Sequence, residues 1–191
     1  AWAAAAYPGR DIRWVGHSYG GFGTGLAANN HLIERQLTVA CSTADWRTMQ
    51  GLERFKVAVL LGLYAPALAH VCGYLPGRLA GGFADLPKGV VLEWSRWCRN
   101  RYFIFGDPTL ASLRHFQGFR GALQFVSMRD DAWCAEEAVE HLAGQYGQAR
   151  ERTFRWVAPS DIGARGIGHV GFFREQFRDS LWRDAAAWLL D

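Results

Sequence analysis

Ser18 is framed by glycine in the run Gly16-His17-Ser18-Tyr19-Gly20-Gly21. The run follows an apolar stretch, Ile12 to Val15 interrupted by Arg13, and precedes the small residues Thr24 to Ala28. A serine between two glycines, where a strand gives way to a helix, is the pattern of a sharp turn that lifts a nucleophilic oxygen clear of a sheet. Such a positive-φ turn costs about 1–3 kcal/mol. Side chains at Gly16 and Gly20 are expected to collide in it, and Gly21 should let the helix pack closely on the strand. With 22 Gly in 191 residues the pattern arises by chance about 0.1 times in a chain like this, so the surrounding residues have to carry the reading.

A serine hydroxyl is a weak nucleophile until a base takes its proton. His169, in the glycine-rich stretch Gly163 to Gly171, is the candidate base and then acid, because an imidazole exchanges a proton near neutrality. A carboxylate should orient the ring and stabilise its charged form. Asp130 and Asp131, which follow the apolar run Ala122 to Met128, both qualify. The backbone N–H of Tyr19, beside the serine, is the candidate oxyanion donor. His17 should point away from the reacting face and serve structure. His31, His70, His115 and His141 have no partner pattern. Asp107, Asp161 and Asp184 lie in the wrong segments for the acid. The Asp pair lacks the His or Glu spacing of a metal site, so neither metal nor cofactor is expected.

These residues need elements to bring them together. Asp11 to Val15 reads as a buried strand, Gly20 to His31 as the helix behind the serine, and Leu37 to Cys41 as a second strand. Ala122 to Met128 is a third strand and Ala135 to Tyr146 a helix with Ala138, Leu142 and Tyr146 on one stripe. Thr153 to Val157 is a fourth strand. An amphipathic helix from about Arg174 to Leu190 should turn Phe177, Leu181, Trp182, Ala185, Trp188 and Leu189 inward. Strands alternating with helices imply an α/β fold with a mostly parallel sheet flanked by helices. In such sheets a site forms at the carboxyl ends of the strands, where Ser18, Asp130/Asp131 and His169 all fall.

Between Asp45 and about Gly121 the alternation stops and a helical, aromatic-rich insert takes its place. This divides the chain into a core segment 1–44, an insert 45–121 and a core segment 122–191. Trp46, Tyr64, Tyr74, Phe83, Trp94, Trp97 and Phe103 supply apolar surface, either for a bound acyl or aromatic group or for the insert's own core. The apolar run Val57 to Ala69 falls short of the ~20 residues of a membrane span and contains Pro66, so a buried or groove-lining helix is expected.

Composition sets outer bounds. Half the residues are hydrophobic, which argues for a folded domain. A net charge of +3 without blocks of like charge gives no reason to expect nucleic acid. Cys41, Cys72, Cys98 and Cys134 show no paired spacing and read as reduced thiols of a cytoplasmic protein. The start, Ala-Trp-Ala-Ala-Ala-Ala-Tyr-Pro-Gly, has no secretion pattern.

The Gly-His-Ser-Tyr-Gly-Gly run, the Tyr-Leu-Pro-Gly run at 74–77, Glu93-Trp94-Ser95-Arg96-Trp97, Asp130-Asp131 and Ile167-Gly168-His169-Val170-Gly171-Phe172-Phe173 resemble the α/β-hydrolase superfamily. More narrowly they resemble bacterial predicted hydrolases of unsettled substrate. The resemblance implies the order Ser18, acid, His169, an insert in the position of a cap, and a chain that is either the C-terminal part of a longer protein or an unusually reduced fold. In the first case strands before the serine, and the second oxyanion donor they supply, would lie upstream. Val139 and Leu142, eight and eleven residues beyond Asp131, match the family's helix phasing, which favours Asp131 with Asp130 as the alternative. The implied activity is hydrolysis of a small-molecule carboxylic ester or thioester through an acyl-enzyme. An amidase or acyltransferase using the same three residues, and a non-catalytic or incomplete binding protein of the same fold, stand as alternatives.

Overall fold

The computed structural model describes residues 1–49, 51–79 and 84–191; Phe83 lies outside the described residues. Among the described residues six strands are formed: β1 (Ile12–His17), β2 (Ile33–Val39), β3 (Tyr74–Leu75), β4 (Leu86–Pro87), β5 (Ala122–Met128) and β6 (Glu151–Val157). Four of them make one parallel sheet in the order β1-β2-β5-β6. The central strands carry the core, with Leu37, Val39, Leu123 and Phe125 buried, as a sheet covered on both faces requires. β1 departs from the expectation of a buried strand. It pairs with β2 alone among the described strands, and Trp14 and Val15 are 41% and 47% exposed.

Two compact units divide the chain. The first is Ala1–Ser42 with Ser112–Asp191, and the second is Thr43–Ala111. Ser112 to Gly121, expected in the insert, clusters with the first unit. Phe116 stands edge-on to Tyr146, and the His115 N–H donates to the Gly25 carbonyl at 2.7 Å. Helix Glu136–Gly144 turns Ala138, Val139 and Leu142 inward, and Tyr146 just beyond it is buried as well. Towards the C-terminus, Phe177, Leu181 and Ala185 are buried, whereas Trp182, Trp188 and Leu189 are half-buried. Trp182 Nε1–H donates to the Phe172 carbonyl and the Arg35 guanidinium lies over the Trp188 ring.

The long helix expected over Gly20 to His31 is replaced by short pieces. An α-turn covers Tyr19–Phe22, and 3₁₀ turns cover Gly23–Leu26 and Asn30–Leu32. Gly20, Gly21, Gly23 and Gly25 give little intrinsic support to a helix. The position of Gly25 is closed to any side chain, since a Cβ there would stand 2.2 Å from the Phe116 ring. Asn30 then fixes the segment by donating to the carbonyls of Thr24 and His115.

In the second unit one continuous helix runs from Gly51 to Cys72, 22 residues. A π-turn at Leu60–Tyr64 precedes Pro66, and this wider turn accommodates the missing N–H. The helix is long and apolar enough to cross a membrane by length and composition alone, properties it shares with helices of soluble proteins. Val57, Leu61, Ala65 and Ala69, four residues apart, form its buried stripe. Leu75, Val91 and the half-buried Leu68 and Leu86 pack against Ala65 and Ala69. Of the expected buried or groove-lining helix over Val57 to Ala69, full burial is not found: Val59 and Leu63 on the opposite face are exposed, as are Leu52, Phe55 and Val71 beyond that run. Among the insert aromatics, Trp97 and Phe103 belong to the unit's own core and meet edge-on, while Tyr64 and Tyr74 are exposed. Asp107 ties this core by accepting from Trp97 Nε1–H, Arg96, and the N–H and hydroxyl of Thr109.

Candidate active site

Ser18 directly follows β1 and has φ 50°, ψ −119°, the strained turn its glycine frame calls for. Its N–H donates to the Val39 carbonyl at 2.9 Å, and its own carbonyl accepts from Gly21 N–H at 2.9 Å. The turn is thereby anchored to β2 on one side and to the short helix Tyr19–Phe22 on the other. Gly16 is indispensable in the packing, because a Cβ would sit 2.2 Å from the backbone oxygen of Gly20. Gly20 is not: a Cβ there meets nothing within 4 Å, so the expected collision falls on Gly16 alone of the pair. Gly21 carries the second close approach, with a Cβ position 2.7 Å from Cys41 Sγ. Tyr19 occupies the first position of the short helix, with its backbone N–H next to the serine.

His169 sits in the short helix Gly168–Gly171, beyond the carboxyl end of β6. Its Nε2 lies 3.0 Å from Ser18 Oγ and its Nδ1 lies 2.8 Å from Asp131 Oδ2. Asp131 follows the end of β5 by three residues. Burial pushes its carboxyl up. The hydrogen bond from His169 and the attraction of that ring when it is protonated, the Trp133 N–H at 2.9 Å and the Cys134 thiol outweigh that and leave it below its ordinary value. An ionised carboxylate only accepts, so Nδ1 carries a proton, and in the neutral ring Nε2 is then free to accept from the Ser18 hydroxyl. Three strand ends thus bring together an alcohol, an imidazole and a carboxylate that are 113 and 38 positions apart in the chain, and Asp131 rather than Asp130 faces the ring.

Asp130 turns to a different task. Its Oδ2 accepts from Ile167 N–H at 2.7 Å, and both its carboxylate oxygens lie 3.1 Å from Gly168 N. His17 Nε2–H donates to the His169 carbonyl at 2.7 Å, its ring edge-on to Phe173. Trp133, and Cys134 beyond its expected role as a reduced thiol, join the site without being expected there. The Trp133 contact had a local signal, since an aspartate commonly accepts from the N–H two residues on. The other acids considered lie elsewhere: Asp161 accepts from Ala158 N–H and Asp184 pairs with Arg155.

Asp131, Cys134 and His169 bring ligand-type atoms within 4.8 Å of one another. Burial pushes the Cys134 thiol well above its ordinary value and the Asp131 charge pushes it further. In this arrangement the Cys134 thiol donates to the Asp131 carboxylate.

No protein-family model and no curated protein matches this sequence. By structure the chain is similar to a monoacylglycerol lipase of Paleococcus ferrophilus, with TM-score 0.54 at 11% identity over 95% of this chain and 68% of that one. It is also similar to the esterase domain of a Rhodothermus marinus protein, with TM-score 0.52 at 15% identity over 98% of this chain and 64% of that one. An esterase of Pyrococcus furiosus gives TM-score 0.51 at 15% identity over 99% of this chain and 57% of that one. The chain has the α/β-hydrolase fold, and it spans from 57% to 68% of the length of these three neighbours.

Proposed function

We propose that the protein is a serine hydrolase acting on small-molecule carboxylic esters or thioesters through Ser18, His169 and Asp131. The observation that carries this reading is the position of the His169 ring, 3.0 Å from the serine oxygen on one edge and 2.8 Å from the Asp131 carboxylate on the other. Ser18 Oγ attacks the acyl carbonyl while its proton passes to His169 Nε2. Asp131 stabilises the resulting imidazolium and holds the ring in the tautomer that can accept. The tetrahedral oxyanion is held by backbone donors, of which the Tyr19 N–H is the one proposed in this chain. His169 returns the proton to the leaving alkoxide or thiolate, the carbonyl reforms, and an acyl group remains on Ser18. Water, deprotonated by His169 Nε2, then adds to that acyl group, and the serine leaves with the same proton. No metal or cofactor enters these steps.

The second unit is proposed as the cap that selects the acyl group. Buried free thiols at Cys41, Cys98 and Cys134 support a cytoplasmic setting.

A panel of p-nitrophenyl esters of increasing chain length, assayed on the full protein, tests the reading. Hydrolysis by the parent and its loss in Ser18→Ala is the expected result. Equal rates in the two proteins would overturn it.

A further inference from the structure

We infer that His17 and Asp130, the residues immediately before the nucleophile and the acid, are positioning residues that clamp the backbone carrying His169. The inference rests on the reading of Ser18, His169 and Asp131 given above. The segment leading to His169 is intrinsically loose. Gly163, Gly166 and Gly168 lie in it, and Gly163 and Gly168 have φ of +63° and +64°. Glycine loses more backbone freedom on ordering than any other residue, so a base mounted there needs anchors to keep its ring within hydrogen-bond reach of two partners.

Two anchors are present, one on each side of the His169 Cα. Upstream, the adjacent N–H groups of Ile167 and Gly168 converge on the Asp130 carboxylate at 2.7 and 3.1 Å. These are charge-assisted bonds, stronger than neutral ones. Downstream, the His169 carbonyl accepts from His17 Nε2–H at 2.7 Å. His17 is the last residue of β1, and its ring is steadied edge-on by Phe173 at 5.6 Å.

The pairing has a regular logic. Ser18 and Asp131 engage the two nitrogens of the ring, while the residue just before each of them engages the backbone on which the ring is mounted. Each strand end therefore supplies one reacting group and one anchor for the base. A displacement of the His169 backbone would lengthen both ring contacts at once, and misplacement by about 1 Å can cost about 10²-fold in rate. The His17 ring also packs against that of His169, centroids 5.1 Å apart, but neither His17 nor Asp130 hydrogen-bonds the ring nitrogens or the serine oxygen, so their loss should slow chemistry without altering substrate binding.

Two graded pairs of variants in the full protein test this. His17→Phe keeps ring volume and removes the donor, whereas His17→Gln restores an N–H. Asp130→Ala removes both acceptor oxygens, whereas Asp130→Asn keeps one. For His17→Phe and Asp130→Ala the expected result is a fall in kcat of about 10- to 100-fold with KM within about twofold. The second-order rate of Ser18 labelling by a fluorophosphonate should fall in parallel, and His17→Gln and Asp130→Asn should recover part of both. A merely structural role would lower the melting temperature without this graded return of rate. Should Asp130→Ala fail to fold, the His17 pair decides. Parent labelling at Ser18 with all variants labelled at the parental rate overturns the clamp and leaves the triad reading intact. A parent that is not labelled at Ser18 overturns the triad reading and the clamp with it.

Discussion

The side chain of Asp131 is 1% exposed and that of His169 is 26% exposed, with 2.8 Å between Oδ2 and Nδ1. One edge of the ring is thus held by a buried carboxylate while the ring itself is only partly covered. That asymmetry suits a base that must meet a substrate while keeping one tautomer.

Asp131→Asn keeps the shape of the acid and removes its charge. The amide can donate to Nδ1, which would leave the proton on Nε2 and disarm the base. In a well-studied serine protease the equivalent change lowers kcat about 10⁴-fold. A fall of that order, with a melting temperature close to the parent's, is expected from steady-state kinetics on an activated ester alongside calorimetry.

The same carboxyl makes stability depend on pH. Its folded-state value is depressed by the contacts of His169, Trp133 and Cys134, although burial opposes them. The unfolded chain therefore binds the proton first as pH falls. The contribution is fully present above the ordinary carboxylate value of about 3.9 and is lost as pH drops through the lower folded value. Denaturant melts from pH 7 to pH 2 on the parent and on Asp131→Asn should converge at the acid end. A constant gap between the two curves would contradict this.

The two glycines that frame Ser18 should behave differently. Gly16→Ala forces a methyl to within 2.2 Å of the Gly20 carbonyl oxygen, so the turn must break or the protein must fail to fold. Gly20→Ala has free space, lies in a helical turn, and should change stability by less than about 1 kcal/mol. Expression yield and melting temperature distinguish the two variants.

Within the second unit, Asp107→Ala is expected to be the costly acidic substitution. It leaves the Trp97 indole N–H, the Arg96 guanidinium and two donors of Thr109 without their acceptor. The bonds from Thr109, Trp97 and Arg96 hold the Asp107 carboxyl far below the usual carboxylate range. A loss of roughly 2–4 kcal/mol in this unit is expected, read as faster hydrogen exchange over Lys88–Arg99.

What the sequence disclosed follows the physics of each element. β5 was readable to its ends because a strand buried on both faces is apolar nearly throughout, and all its residues except Gln124 are buried. The burial of β1 was not readable, because Trp14 and Val15 look like core residues and only the strand order places them at an edge. The helix after Ser18 is shorter than its apolar and small residues suggest, because four glycines at 20, 21, 23 and 25 raise the cost of a continuous helix. The phasing of Val139 and Leu142 favoured Asp131, and both residues are buried in the helix that follows it. The hydrogen bonds of Asp130 and His17 left no mark. They join backbone groups 37 and 152 positions away, and any residue type can supply a backbone N–H or carbonyl.

The most direct measurement is covalent mapping with a fluorophosphonate probe on the full protein, read by peptide mass spectrometry. A single adduct on Ser18 is the expected result, absent from Ser18→Ala and formed far more slowly in His169→Ala and Asp131→Asn. An adduct on another residue, or labelling of Ser18 at a rate indifferent to His169 and Asp131, would contradict the relay.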